Sequence, residues 1–184
     1  MMSGVSMAAA MRPLMAQLAI FQALLLAASA VHKTVRWPQA QAVVRQFAGV
    51  PACLAASALG TAVIAELFAA ALLIVPAYRA TGAVAAAVIW TCYLLLIVRA
   101  ILQDRRDVDC GCSFGPTFRP LGAFQVVRNA VLAGVAMLIA WVSAAGGSVP
   151  SHASQVLGGI ALLALYGALD QVMALRPLRS GEVL

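Results

Sequence analysis

Charge is scarce in this chain. Only 10% of its 184 residues are Asp, Glu, Lys or Arg, while 64% are hydrophobic. A soluble domain usually carries about 25% charged residues. There is too little charge here to coat a water-exposed surface, which excludes a free-standing soluble enzyme. The polar segments are all short, so no separate soluble catalytic module fits, and the length allows one domain. Cysteine is also sparse: the four are Cys53, Cys92, Cys110 and Cys112. That is far from a disulfide scaffold, so any cysteine function must come from a specific pair. No fixed-period repeat is present. Twelve Lys and Arg against six Asp and Glu give a net charge of +6. The basic residues form no dense stripe, however, and are scattered in short connections between apolar runs. Such charges mainly set membrane topology, and this pattern argues against nucleic-acid binding.

What the chain has in abundance is apolar length. A spanning helix needs ~20 mostly apolar residues. Five stretches qualify, at about 14–31, 53–75, 82–102, 122–145 and 155–175. The connections at 33–51, 76–81, 103–120 and 146–154 are polar or contain Pro and Gly. Only helices or closed barrels span a bilayer, and continuous rather than alternating apolar runs predict helices. The expected fold is therefore all-α: a polytopic membrane bundle of about five transmembrane helices, forming a single integral membrane domain. Abundant Ala, Gly and Ser suit close helix packing.

Ala28-Ser29-Ala30 resembles a signal-peptidase site. The apolar run before it is longer than the usual leader core, so the first helix is read as retained. With five spans, Lys33, Arg36, Arg45, Arg99, Arg105, Arg106, Arg119, Arg176 and Arg179 fall on one side of the membrane. Only Arg12 and Arg79 fall on the other, and Arg128 lies within a span. The positive-inside rule then puts the N-terminus outside and the 103–120 loop in the cytoplasm.

That loop is the longest strongly polar segment, and it contains Cys110-Gly111-Cys112. Two thiols one residue apart close only into a small, strained ring, and strain makes a disulfide more oxidising. Gly111 relaxes the backbone enough for closure. Arg105, Arg106 and Arg119 favour thiolates, while Asp104, Asp107 and Asp109 offset them. Redox exchange, soft-metal ligation and a structural role all fit the pair. The lack of a second dense Cys/His cluster argues against a closed zinc site, and no metal is assigned. Cys53 opens the second span on the loop's side and is a candidate third thiol. Cys92, in mid-span, is read as packing.

Ionisable groups inside spans are costly and are functional candidates. Glu66 sits ~20 Å from the Cys53 end of its helix at ~1.5 Å per residue. Arg128, Asp170, Lys33 and Arg99 all lie toward the cysteine-loop face. Arg128 is expected to pair with Asp170 or Glu66 so that each survives in the bilayer. Trp90, Tyr93, Trp141 and Tyr166 are read as packing or interface anchors.

Taken together, these residues resemble the methylamine utilisation protein MauE family, grouped with DoxX-like redox-associated membrane proteins. The resemblance rests on Ala28-Ser29-Ala30-Val31-His32-Lys33, Glu66, Asp109-Cys110-Gly111-Cys112, Phe114-Gly115 and Arg128-Asn129. It runs from the first span to the fifth, and the loop motif is its specific part. Ser113 departs from the tighter family motif, in which Phe-Gly follows Cys-Gly-Cys directly. The resemblance implies a multi-pass protein of the bacterial inner membrane. Such a protein serves processing, export or maturation of the methylamine dehydrogenase small (beta) subunit, together with the thioredoxin-like protein MauD. It further implies thiol-disulfide exchange through Cys110 and Cys112, with a thioredoxin or a quinone as redox partner, although no quinone motif is evident. A non-catalytic scaffold and a soft-metal carrier are the alternatives. The implied role places the loop most naturally at the periplasmic face, against the arginine count.

Overall fold

The computed structural model describes residues 3–103, 122–146 and 153–174. Among these residues the chain is all helix, with one 3-10 turn and no strand. The helices are α1 (Ser3–Val35), α2 (Trp37–Ala48), α3 (Ala52–Ile74), α4 (Arg79–Leu102), α5 (Ala123–Gly146) and α6 (Ala153–Ala174). Five segments are long and apolar enough to cross a membrane: Met11–Val35, Ala52–Ile74, Pro76–Leu102, Ala123–Ala145 and Ala153–Val172. The protein is thus a polytopic helical membrane bundle.

The outward surface explains why such a bundle needs lipid. Ile64, Phe68, Leu95, Trp141, Leu157 and Leu165 are all exposed. In water these side chains would make a large apolar patch; in a bilayer they are solvated. The interior is built instead from small residues. Ala19, Ala23, Ala69, Ala83, Ala86 and Ala136 are buried at the helix contacts, with Leu26, Leu73 and Ile139 filling between them. Small side chains let backbones approach, which is how helices associate once lipid and core are equally apolar. Gly82 is the sharpest case: a Cβ there would lie 2.6 Å from the Leu73 backbone nitrogen.

Among the described residues α1 is the central helix and touches every other span, whereas α6 packs its backbone against α1 alone. Consecutive spans run antiparallel. The C-terminal end of α1, the N-terminal end of α3, the C-terminal end of α4, the N-terminal end of α5 and the C-terminal end of α6 therefore share one membrane face. α4 ends and α5 begins at that face.

One expectation is corrected here. Residues 33–51, expected as a connection, instead hold the end of α1 and the whole of α2. The chain breaks at Arg36 (φ −107°, ψ 42°), and Pro38 sits in the first turn of α2, where proline's missing N–H costs nothing. The helix ends at Gly49, whose φ of 64° is left-handed, a cap that glycine adopts without a Cβ penalty. Trp37, Ala40 and Val44 pack on Ala30, Leu59 and Val63, and Val43 packs on Ile97 and Ala100. Arg45 and Gln46 face outward. α2 is therefore an amphipathic helix clasped to α3 and α4 at the cysteine-loop end. The 76–81 connection is likewise shorter than expected. Pro76 holds Val75 extended (ψ 114°) and stops α3, and α4 is already helical from Arg79. Arg79 Nε donates to the Leu73 carbonyl at 3.4 Å, one of the acceptors left open at the end of α3.

Candidate functional site

A carboxylate in mid-span needs donors, and three converge on Glu66. Its side chain is 0% exposed. Lys33 Nζ lies 2.6 Å from Glu66 Oε1 and forms a salt bridge. Ser29 Oγ donates to the same oxygen at 3.0 Å, and the Tyr93 hydroxyl donates to it at 2.7 Å. Lys33 also donates to Ser29 Oγ at 2.6 Å, and its ammonium sits 5.0 Å above the Tyr93 ring. Ser29 and Lys33 are one helical turn apart, so α1 presents both to α3 on one face. Glu66 Oε2, by contrast, is buried and has no hydrogen-bond partner among the described residues.

The polar structure continues inward. Trp90, one turn before Tyr93, stands edge-on to that ring at 6.1 Å and 67°. Its indole N–H donates to Gln22 Oε1 at 2.6 Å. Gln22 Nε2 in turn donates to the Leu132 carbonyl at 2.9 Å. Gln22 and Glu66 are among the most completely buried side chains. Unpaired buried polar groups are expensive, so this chain of contacts from α3 and α4 through α1 to α5 fixes the helices in register. It tethers the Lys33–Glu66 pair to the core.

A second ion pair sits on the same half of the bundle. Arg128 Nη1 lies 3.8 Å from Asp170 Oδ1, with both side chains nearly buried. The structure thus gives Arg128 to Asp170 and Glu66 to Lys33. The entry to α5 is set by Gln125, which accepts from the Gly122 N–H at 3.0 Å, the return half of a capping box. Asn129 Nδ2 donates to the Gln125 carbonyl at 2.8 Å.

Of the remaining candidates, Arg99 is exposed in the last turn of α4, where a cation complements the helix dipole. Cys53 is exposed at the start of α3. Cys92, read as packing, is instead exposed on α4; it lies beyond the buried stripe of Ala83, Ala86, Ala87 and Trp90 and faces lipid. Trp141 is exposed and Tyr166 packs edge-on to Phe21 at 5.8 Å. Cys110 and Cys112 lie outside the described residues. Among the described residues no group of three or more His, Cys, Asp or Glu could hold a metal ion. Sequence reasoning missed Gln22 and Tyr93 as members of the network. The available signal was a glutamine interrupting an otherwise apolar span.

Comparison with known proteins identifies the family. The profile of the family described as methylamine utilisation protein MauE matches residues 11–142. Two curated proteins named methylamine utilization protein MauE are similar. The one from Methylophilus methylotrophus is 31% identical over 154 residues, covering 82% of this chain and 81% of that protein. The one from Paracoccus denitrificans is 29% identical over 151 residues, covering 81% of each. No solved structure matches. The matched segment takes in Ser29, Lys33, Glu66, Tyr93, the Cys-Gly-Cys loop and Arg128, and the chain belongs to the MauE family of methylamine utilisation proteins.

Proposed function

We propose that this protein is a thiol-redox component of a bacterial inner membrane that supports processing, transport or maturation of the methylamine dehydrogenase small subunit. The observation that carries the reading is the Cys110-Gly111-Cys112 pair, set in the longest polar loop of a chain of this family. A client thiolate attacks one sulfur of the strained Cys110–Cys112 disulfide and forms a mixed disulfide. A second client thiolate displaces it, leaving the client oxidised and both loop cysteines as thiols. The thioredoxin-like protein MauD takes the electron pair and restores the bond. Two features of the bundle support such a role: a rigid polar network that holds α4 and α5, the helices flanking the loop, and polar groups gathered toward the face where the loop connects.

The test is the Cys110→Ser, Cys112→Ser double variant in cells that depend on methylamine. The expected result is membrane-inserted variant with loss of assembled, active dehydrogenase. Full assembly would leave a docking scaffold and end the redox reading. Labelling intact spheroplasts with an impermeant maleimide then identifies the exchange partner. Labelling from outside points to MauD or the subunit itself, and labelling only after lysis points to a cytoplasmic thioredoxin.

A further inference from the structure

We propose that the face of the bundle where α4 ends and α5 begins is a binding surface for anionic phospholipid, with Arg36, Arg45 and Arg99 holding headgroup phosphates. The inference goes beyond the thiol chemistry and does not depend on it.

Charge at this face is unbalanced. Glu66 and Asp170 are the carboxylates among the described residues, and each faces a cation inside the bundle, Lys33 or Arg128. Arg36, Arg45 and Arg99 are exposed, and none of them forms a salt bridge with a described carboxylate. By sequence the same side also carries Arg105, Arg106, Arg119, Arg176 and Arg179, against Asp104, Asp107, Asp109 and Glu182. With the two ion pairs set aside, eight arginines stand against four carboxylates. The excess attracts anions, and a guanidinium binds phosphate through two parallel hydrogen bonds.

The neighbours of these arginines place them at the headgroup layer rather than out in water. Leu95, Arg99 and Leu102 are spaced four and three residues apart, so they line one stripe of α4, and all three are exposed. Leu102, the last residue of α4, is 81% exposed. An arginine between two lipid-facing leucines stands where acyl chains give way to headgroups, and its long side chain reaches the phosphates. Arg36 is set the same way. It follows Val35, which is 76% exposed, and Val31 one turn earlier is exposed too. α2 supplies Arg45. Because Trp37, Ala40 and Val44 pack on Ala30, Leu59 and Val63, and Val43 packs on Ile97 and Ala100, the apolar side of α2 is spent on the bundle. Arg45 is left on the outward side with Gln39 and Gln46. Arg36 and Arg45 are thus held ~13 Å apart along a helix anchored to α3 and to the last turns of α4. An acidic protein partner would instead call for arginines projecting from a polar surface.

The test uses the full-length protein in lipid nanodiscs. In a Trp141→Phe variant the responsive tryptophan is Trp37, next to Arg36, because Trp90 is buried. In a Trp37→Phe variant it is the exposed Trp141, near the C-terminal end of α5 and so at the opposite face. Acyl-chain bromine quenches tryptophan on contact, and brominated phosphatidylglycerol is compared with brominated phosphatidylcholine at equal mole fraction. Trp37 is expected to be quenched more strongly by phosphatidylglycerol, and Trp141 equally by both. Arg36→Gln, Arg45→Gln and Arg99→Gln are each expected to weaken the apparent association of phosphatidylglycerol about fivefold, and the three together to abolish the preference. Lysine at the same three positions keeps the charge and retains most of it. Equal quenching of Trp37 by the two lipids would overturn the proposal and leave the arginines to an acidic protein partner. A preference that survives in the triple glutamine variant would overturn it as well, because the phosphate would then be held elsewhere.

Discussion

Two ion pairs among the described residues are built differently. Lys33–Glu66 is a short contact at 2.6 Å, and the carboxylate is shared by three donors from α1 and α4. Arg128–Asp170 is longer, at 3.8 Å, and it joins α5 to α6, which do not pack backbone to backbone among the described residues. The first pair is a hub at a close-packed crossing. The second is a reach between two helices that lean on other neighbours.

Substitutions can break this contrast. Lys33→Met should give the largest loss, because it strips Glu66 of its counter-charge; removing one partner of a buried pair costs about 3–5 kcal/mol. Thermal unfolding in detergent or nanodiscs should show it, and Lys33→Met, Glu66→Gln should recover a substantial part. An equal loss in the double variant would mean that the two residues act independently. Gln22→Leu should cost less, about 1–3 kcal/mol, the penalty for leaving the Trp90 N–H unpaired. It should also shift the Trp90 emission, whereas an unchanged spectrum would remove Gln22 from the network. Asp170→Asn should cost least, about 1 kcal/mol, the scale of polar contacts between membrane helices. A loss matching Lys33→Met would erase the distinction between hub and reach.

The spans were legible in the sequence because lipid imposes a one-dimensional requirement: enough consecutive apolar residues to cross. α2 was not, because twelve residues with Arg45, Gln39, Gln41 and Gln46 read as a polar connection; only its Trp37, Val43 and Val44 contacts reveal a packed face. Glu66 stood out as a charge in a span, but its partner did not. Lys33 and Arg128 both lie toward the same membrane face, and depth cannot choose between them. The choice follows from α1, rather than α5, packing directly on α3. Cys92 misled for a related reason. Apolar sequence is the same on the lipid-facing and core-facing sides of a membrane helix, so composition carries no sign of which way a small residue points.

The most direct test of the thiol-redox account is the oxidation state of Cys110 and Cys112 in growing cells, trapped by acid and read by alkylation mass shift. The account expects a pair that is at least partly disulfide-bonded in wild-type cells and accumulates as dithiol when MauD is removed. Two thiols that stay fully reduced in both strains would contradict it.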